Sequence, residues 1–355
     1  MNRTWQIRPY IHGDEHQILR LRKTVFGDVD AVRLDISTWN WQFRKNPAGN
    51  AWIYVAEDRG KIVGQYAAIP TRILWKGREQ LFAFSCDTMT HPDYRNHGMF
   101  STLAGELYSF MSRQHNVQTV WGFPNDQSLP GFIRRLNWKV IARYSLRISP
   151  IRPLRMLRSH FRLMQRLVPS SAGPPNPPVS RTYVIGPGVE VLPVQSFCHE
   201  FDEIWNRNKP LSKIVQIRDC RYLNWRYCEL PEFGYLPFAV RHQGRLAGYL
   251  IIRLLELKGH YFGALMDLFP IPLVNDDITY RLLRFARHFC GINGAEFATF
   301  LLPDNVQKHL NRMGIITIPD KINPRPWYLG CRLSMNHSAN QHDAWHITYG
   351  DSDIL

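Results

Sequence analysis

The chain has 355 residues, 45% of them hydrophobic, and a formal net charge of +15 at pH 7. That is enough apolar material for two cored domains or one large one. The opening residues hold no apolar stretch of signal-peptide length, and no uninterrupted run of about 18 apolar residues occurs, so neither a leader nor a membrane span is expected.

The six cysteines show no CxxC pair, which reads as reduced thiols in a cytoplasmic protein rather than a disulfide framework or a zinc site. Hydrophobic periodicity predicts a first strand over 4–10, a helix over 14–26 and a second helix over 36–46, stopped by Pro47. A hairpin follows over 51–57 and 61–75, turning at Asp58-Arg59-Gly60. Residues 82–89 alternate as a strand, with Phe82, Phe84 and Cys86 on one face. A helix is expected over 98–115, then a strand over 119–123, a short helix over 129–136 and a strand over 139–148.

Residues 150–180 read as a linker in two parts. Leu154, Leu157, Phe161, Met164 and Val168 recur at spacings of three and four, with arginines between them. This is a basic amphipathic helix, suited to packing on a neighbouring domain or to peripheral contact with an anionic membrane. The Pro-rich stretch 169–178 has the composition of an extended spacer. The charge also suits anionic ligands in general, but no nucleic-acid reader motif accompanies it, so no specific nucleic acid is expected.

The second half repeats the first. Asn40, Trp41, Pro47, Gly60 and Gly64 map onto Asn224, Trp225, Pro231, Gly244 and Gly248 at a constant separation of 184 positions. Farther on the spacing drifts: Asp87 falls near Asp267, Pro124 near Pro303, and Leu136-Asn137-Trp138 near Met313-Gly314-Ile315. Two tandem copies of one fold are expected, a domain at 1–149 and a second at 181–355 flanking the linker at 150–180.

Between the strand ending near Met89 and the helix beginning near Gly98 lies His91-Pro-Asp-Tyr-Arg-Asn-His-Gly-Met-Phe100. A glycine at a helix start lets backbone N–H groups approach an anion, the helix N-terminus adds partial positive charge, and Arg95 adds a full one. With the HPDY turn before it, this Arg-x-x-Gly stretch resembles the GNAT superfamily of acyl-CoA-dependent N-acyltransferases. Phe100 departs from the family's pattern, which has Gly or Ala there.

The resemblance implies a mixed α/β fold, each copy a mostly antiparallel sheet flanked by helices. It implies acetyl-CoA or another acyl-CoA as co-substrate. Main-chain groups at Thr88, Met89 and Thr90 would hold the pantetheine arm. Arg95, Asn96, His97, Gly98, Met99, Phe100 and Ser101 would take the pyrophosphate, and Asn125 would open the following helix. The Tyr that the family often uses as acid is replaced by Ile133, and the common Glu base is missing from the strand at Val120 and Trp121. Asp87 is the candidate base, with a structural carboxylate as its alternative reading.

The second copy lacks the Arg-x-x-Gly turn and has Asp276 and Asp277 at its helix start, which repel a pyrophosphate. The implied function is transfer of an acyl group to the amine of a small molecule, such as an amino sugar. A Fem-type aminoacyltransferase and a non-catalytic binding module are the alternatives. Oligomeric state is not legible in the sequence.

Overall fold

The computed structural model describes residues 4–27, 31–158, 181–257, 259–270, 275–302, 311–319, 321, 327–333 and 344–352. In chain order the elements are β1 (Gln6–Pro9), α1 (Glu15–Phe26), α2 (Ile36–Arg44), β2 (Trp52–Asp58), β3 (Lys61–Trp75), β4 (Arg78–Thr90), α3 (Met99–His115), β5 (Thr119–Gly122), α4 (Leu129–Leu136) and β6 (Lys139–Tyr144). Then come β7 (Arg147–Pro150), α5 (Pro153–Arg158), β8 (Tyr183–Gly186), β9 (Val189–Pro193), α6 (His199–Asn208), β10 (Val215–Gln216) and α7 (Cys220–Tyr227). The chain continues through β11 (Tyr235–His242), β12 (Arg245–Leu257), β13 (His260–Phe269), α8 (Asp276–Ile292), β14 (Phe297–Phe300), β15 (Ile316–Thr317) and β16 (Trp327–Leu333). The predicted amphipathic helix from position 159 onward, the Pro-rich stretch and Pro303 lie outside the described residues.

Two compact units result, and neither is one contiguous stretch. The first comprises 1–144, 211–217 and 327–345; the second comprises 145–210, 218–326 and 346–355. The boundary expected at 149 therefore falls at 144, and the later part of the chain serves both units. The strand expected over 139–148 is two strands in different sheets.

The first sheet runs β1-β2-β3-β4-β5-β16-β6, with β10 on β3; the second runs β15-β7-β14-β13-β12-β11-β9-β8. In each sheet a central strand has one parallel neighbour: β5 on β4, and β14 on β13. An antiparallel strand then closes the outer edge of that neighbour. In the first sheet this is β16, paired with both β5 and β6; in the second it is β7, paired with β14 and β15. Each closing strand comes from the other half of the chain, so the exchange is reciprocal.

The repeat is local as well as topological. Asp35 and Asp219 cap α2 and α7, accepting from Ser37 N–H and Tyr222 N–H. Arg59-Gly60 and Gln243-Gly244 turn their hairpins in the left-handed region. Bulges fall at Ala56/Glu57 and Val240/Arg241. All three features recur at the same separation of 184 positions. Asn137 and Gly314, matched in the drifting part, both have positive φ.

Each unit has its own apolar core. In the first, α3 lays Met99, Leu103, Ala104, Leu107 and Met111 onto Ala56, Val63, Tyr66 and Ala83 of the sheet. In the second, α8 lays Ile278, Leu282, Leu283, Phe285 and Phe289 onto Phe238, Val240, Leu250 and Ile252. Burial of each large side chain contributes roughly 1.5–3 kcal/mol.

The second unit also holds a buried polar cluster. The Arg218 guanidinium donates to Asp267 Oδ2 at 2.9 Å and to Asp351 Oδ2 at 2.8 Å, with all three side chains 1% exposed. Tyr227 and Tyr249 donate to Asp267 as well. Arg226 donates to the Gly350 and Ser352 carbonyls, fastening the segment that carries Asp351.

Two outcomes are expected. A fragment ending at residue 150 lacks β16 and exposes the outer edge of β5; it should show no cooperative unfolding and weak near-UV dichroism. A fragment with a native-like near-UV spectrum contradicts the exchange.

The second outcome concerns Asp351, whose carboxyl is raised above the ordinary 3.8 by burial, against the pull of Arg218. Between the two values the folded chain keeps a proton that the unfolded chain has lost. Its contribution is complete below the unfolded value and is lost as pH rises through the folded one, by up to about 1.4 kcal/mol per pH unit. Denaturant titrations from pH 4 upward should show that slope in the wild type, and a flatter difference curve in Asp351→Asn.

Candidate functional site

The site is built where β4 parts from β5. The two pair only at Ala83↔Val120 and Phe84↔Trp121. At the next step a Cβ on Gly122 would stand 2.9 Å from the Ser85 carbonyl oxygen, so only glycine permits this approach. Beyond it, the edge of β4 from Ser85 to Thr90 has no strand neighbour on the β5 side among the described residues. Its main-chain groups on that side are available to an extended ligand.

A bulge drives the parting. Between Gln65↔Met89 and Ala67↔Cys86 the β4 strand carries Asp87 and Thr88 opposite Tyr66 alone. Asp87 sits at φ 45°, and its carbonyl accepts from Gln65 Nε2 at 2.9 Å. Its carboxylate pairs with Arg22 of α1, the two side chains being 11% and 12% exposed. Asp267 adjoins the corresponding bulge between Ile251 and Ile252 and pairs with Arg218. Both carboxylates therefore have an arginine partner, as a strut for the bulge would.

Met89 is buried, and Thr90 pairs with Gly64. A Cβ on Gly64 would collide with Met99 Sδ, so the bare glycine seats the first residue of α3 against β3. Between strand and helix, His91 Nδ1 accepts from Asp93 N–H, and Tyr94 donates to Asp58 Oδ2 at 2.6 Å. The turn is thereby tied to the β2–β3 hairpin.

Arg95, Asn96 and His97 are exposed. Asn96 (φ 66°) and Gly98 (φ 77°) are both left-handed, which turns the loop into the helix. Gly98 is the N-cap and has no side chain to satisfy the first N–H groups. The Ser101 and Thr102 hydroxyls instead donate to the Gly98 carbonyl, at 3.0 and 2.9 Å. The N–H groups of Met99, Phe100 and Ser101 have no backbone acceptor among the described residues. A terminus of this kind is chemically able to accept an anion.

The Phe100 ring lies against α4: its Cε1 would be 3.3 Å from a Cβ on Gly131, and its centroid is 5.1 Å from Phe132. Asn125 opens the turn before α4, its Oδ1 accepting from Ser128 N–H at 2.9 Å and its carbonyl from Leu129 N–H at 2.8 Å. Ile133, at the place of the family's Tyr, is 43% exposed.

The corresponding helix start in the second unit differs. The Asn275 side chain caps α8 by accepting from Ile278 N–H at 2.9 Å, and Asp276 and Asp277 occupy the first turn. The cap satisfies the Ile278 N–H, and the first turn carries negative charge.

Sequence reasoning missed a cluster of hydroxyls behind the parting. Ser85 Oγ donates to the Tyr66 phenol at 2.9 Å; Tyr66 and Tyr108 phenols are 2.6 Å apart; Trp138 Nε1 donates to Tyr108 at 3.0 Å. The available signal was Tyr108, a polar tip on the buried stripe of α3. Sequence reasoning also missed Arg22, which lies on α1 and meets Asp87 only through folding.

A family model described as "Acetyltransferase (GNAT) domain" matches residues 6–141. No curated protein matches the sequence. Among solved structures, one similar fold is a conserved protein of unknown function from Enterococcus faecalis, named "Probable N-Acyltransferase". It has a TM-score of 0.63 at 12% identity, covering 93% of this chain and 73% of that one. A GCN5-related N-acetyltransferase from Kribbella flavida gives 0.58 at 15% identity, over 93% of this chain and 71% of that one. A glucosamine N-acetyltransferase region of a fungal multi-domain β-N-acetylglucosaminidase gives 0.57 at 14% identity, over 94% of this chain and 38% of that one. The match over 6–141, with the parted central strand and the open α3 terminus, means that this stretch is a GNAT domain, and the two sheets are two GNAT-like folds.

Proposed function

We propose that the chain is an acyl-CoA-dependent N-acyltransferase, most simply an N-acetyltransferase, whose first unit holds the acyl-CoA. The observation that carries this reading is the coincidence of the open β4 edge with the uncapped α3 terminus. Thr88, Met89 and Thr90 offer main-chain groups to the pantetheine arm. Asn96 to Ser101 offer N–H groups to the pyrophosphate, beside the Arg95 charge. Asn125 orders the turn leading into α4, which flanks the same slot. The acceptor is a small-molecule amine. An amino sugar is favoured because one protein of similar fold is named a glucosamine N-acetyltransferase region.

Such transfer needs the thioester held, its carbonyl polarised and the attacking amine neutral. Backbone N–H groups along the β4 edge meet the first two needs. Asp87, with its carboxylate engaged by Arg22, acts as a strut that keeps the bulge in shape.

Calorimetry with acetyl-CoA should find one site per chain, since the α8 terminus is capped and acidic. Gly98→Glu should weaken binding at least about tenfold, through left-handed strain and charge repulsion. Gly98→Ala supplies the strain alone and should fall between. Two equivalent sites, or unchanged affinity in folded Gly98→Glu, contradict the placement.

Asp87→Asn leaves Arg22 without its ion-pair partner and should cost about 1–3 kcal/mol of stability. In the strut reading, acyl transfer to an amine panel keeps its pH profile in Asp87→Asn, and loss of the basic limb identifies Asp87 as the base instead.

A further inference from the structure

We propose that Ser85, Tyr66 and Tyr108 form a hydroxyl relay that stabilises and then protonates the sulfur released when a thioester is cleaved on the open edge of β4. The proposal rests on the acyl-CoA reading and supplies the acid that α4 lacks.

Position is the first argument. Ser85 stands one residue past the last β4–β5 pair, at the closed end of the parting. Among the three hydroxyl-bearing residues it keeps the greatest exposure: 9%, against 0% for Tyr66 and 7% for Tyr108. It is the end of the chain that a ligand on the β4 edge reaches. The two residues that follow it are engaged elsewhere. Cys86 receives a contact from Gln42 Nε2 at 3.8 Å, and the Asp87 carboxylate is engaged by Arg22.

Chemistry is the second. At rest the Ser85 hydroxyl donates to the Tyr66 oxygen. When the amine nitrogen uses its lone pair to form the new N–C bond, the C–S bond breaks and its electron pair goes to sulfur. Ser85 turns its O–H to the sulfur and gives up the proton. Tyr66 passes its own to Ser85, and Tyr108 passes its own to Tyr66. The proton lost by the amine enters water and returns to Tyr108 from solvent.

The far end is built to carry the transient deficit. Trp138 Nε1 donates to the Tyr108 oxygen, and the Arg332 guanidinium stands 4.9 Å over the Tyr108 ring. Burial pushes the Tyr66 phenol well above its ordinary value, whereas Tyr108 rises only to about 12, eased by Tyr66, Trp138 and Arg332. Of the two phenols, Tyr108 loses its proton at less cost. Ser85 is the catalytic group in this scheme, and Tyr66 and Tyr108 are positioning residues acting through it.

The test needs no acceptor amine. Free coenzyme A is bound to the full-length protein, and its thiol is titrated by thiolate ultraviolet absorbance. Calorimetry first establishes that coenzyme A binds. The bound thiol should ionise at least about one pH unit below the free one, the shift expected for one good hydrogen bond to an anion. In Ser85→Ala and Tyr66→Phe the titration should return toward that of free coenzyme A, with Tyr108→Phe intermediate. Coenzyme A affinity near neutral pH should stay within about threefold in Ser85→Ala. Near-UV dichroism checks each fold, and Ser85→Ala, the smallest change, decides if a tyrosine variant does not fold. An unshifted thiol in the wild type, or an equal shift in folded Ser85→Ala, overturns the relay and leaves the acyl-CoA reading standing. No binding of coenzyme A to the wild type overturns that reading, and the relay with it.

Discussion

The constraint on which the first unit depends is the closure of β5. That strand is four residues long and meets β4 over two residue pairs only. Its other edge is held by β16, in register from Gly330↔Gly122 to Leu333↔Thr119. Without this partner the short strand would offer a bare row of donors and acceptors. The same strand also shapes the interior. A Cβ on Gly330 would stand 3.0 Å from Trp138 Cε3, so the glycine makes room for the indole that donates to Tyr108. Two residues on, Arg332 covers the Tyr108 ring. The parting of β4 from β5 and the polar cluster behind it both rest on a strand that arrives after position 326.

The two bulges show how one scaffold yields different interiors. In the first unit the bulge carboxylate meets a single arginine, both partly open to water. In the second, Asp267 lies fully buried with Arg218, and a second carboxylate, Asp351, shares that guanidinium. Removing these ions from water is expensive, so the cluster is tolerable only because nearly every lone pair and proton finds a partner. Tyr227, Tyr249 and the Leu268 N–H complete Asp267; the Thr348 N–H and hydroxyl serve Asp351. The second unit has thus turned its bulge into a closed polar core. The first has kept an open strand edge beside a bare helix terminus.

Much of this was legible in the sequence because the signals were local. Hairpin glycines, helix stripes and the Arg-x-x-Gly turn depend on residues within a few positions of one another. The helix expected over 129–136 and the strand at 61–75 stand where periodicity placed them. The strand exchange was not legible. Residues 139–148 are apolar enough to read as one strand, and nothing local reveals that Ser145-Leu146 separates two sheets. The Arg22–Asp87 pair was hidden for the same reason: its partners are 65 positions apart, and although Asp87 reads as a candidate base or structural carboxylate, Arg22 alone reads as an ordinary helix charge.

Phe100 departs from the motif at its last fixed position, and its environment explains how the departure is accommodated. A bulky residue at the second position of α3 obstructs an anion only if its side chain shares the space above the helix terminus. Here the ring turns inward, meeting Phe132 at 5.1 Å and Tyr66 at 6.0 Å between centroids. It fits because Gly131 presents no side chain to it. The missing Cβ has moved from α3 to the facing turn of α4. The ring is thus accommodated by the core and by α4. The ring meanwhile adds apolar cover over Tyr66, and that cover strengthens the hydrogen bonds beneath it by excluding water. Position 100 and position 131 thus form one packing decision, and neither can be judged from the motif alone.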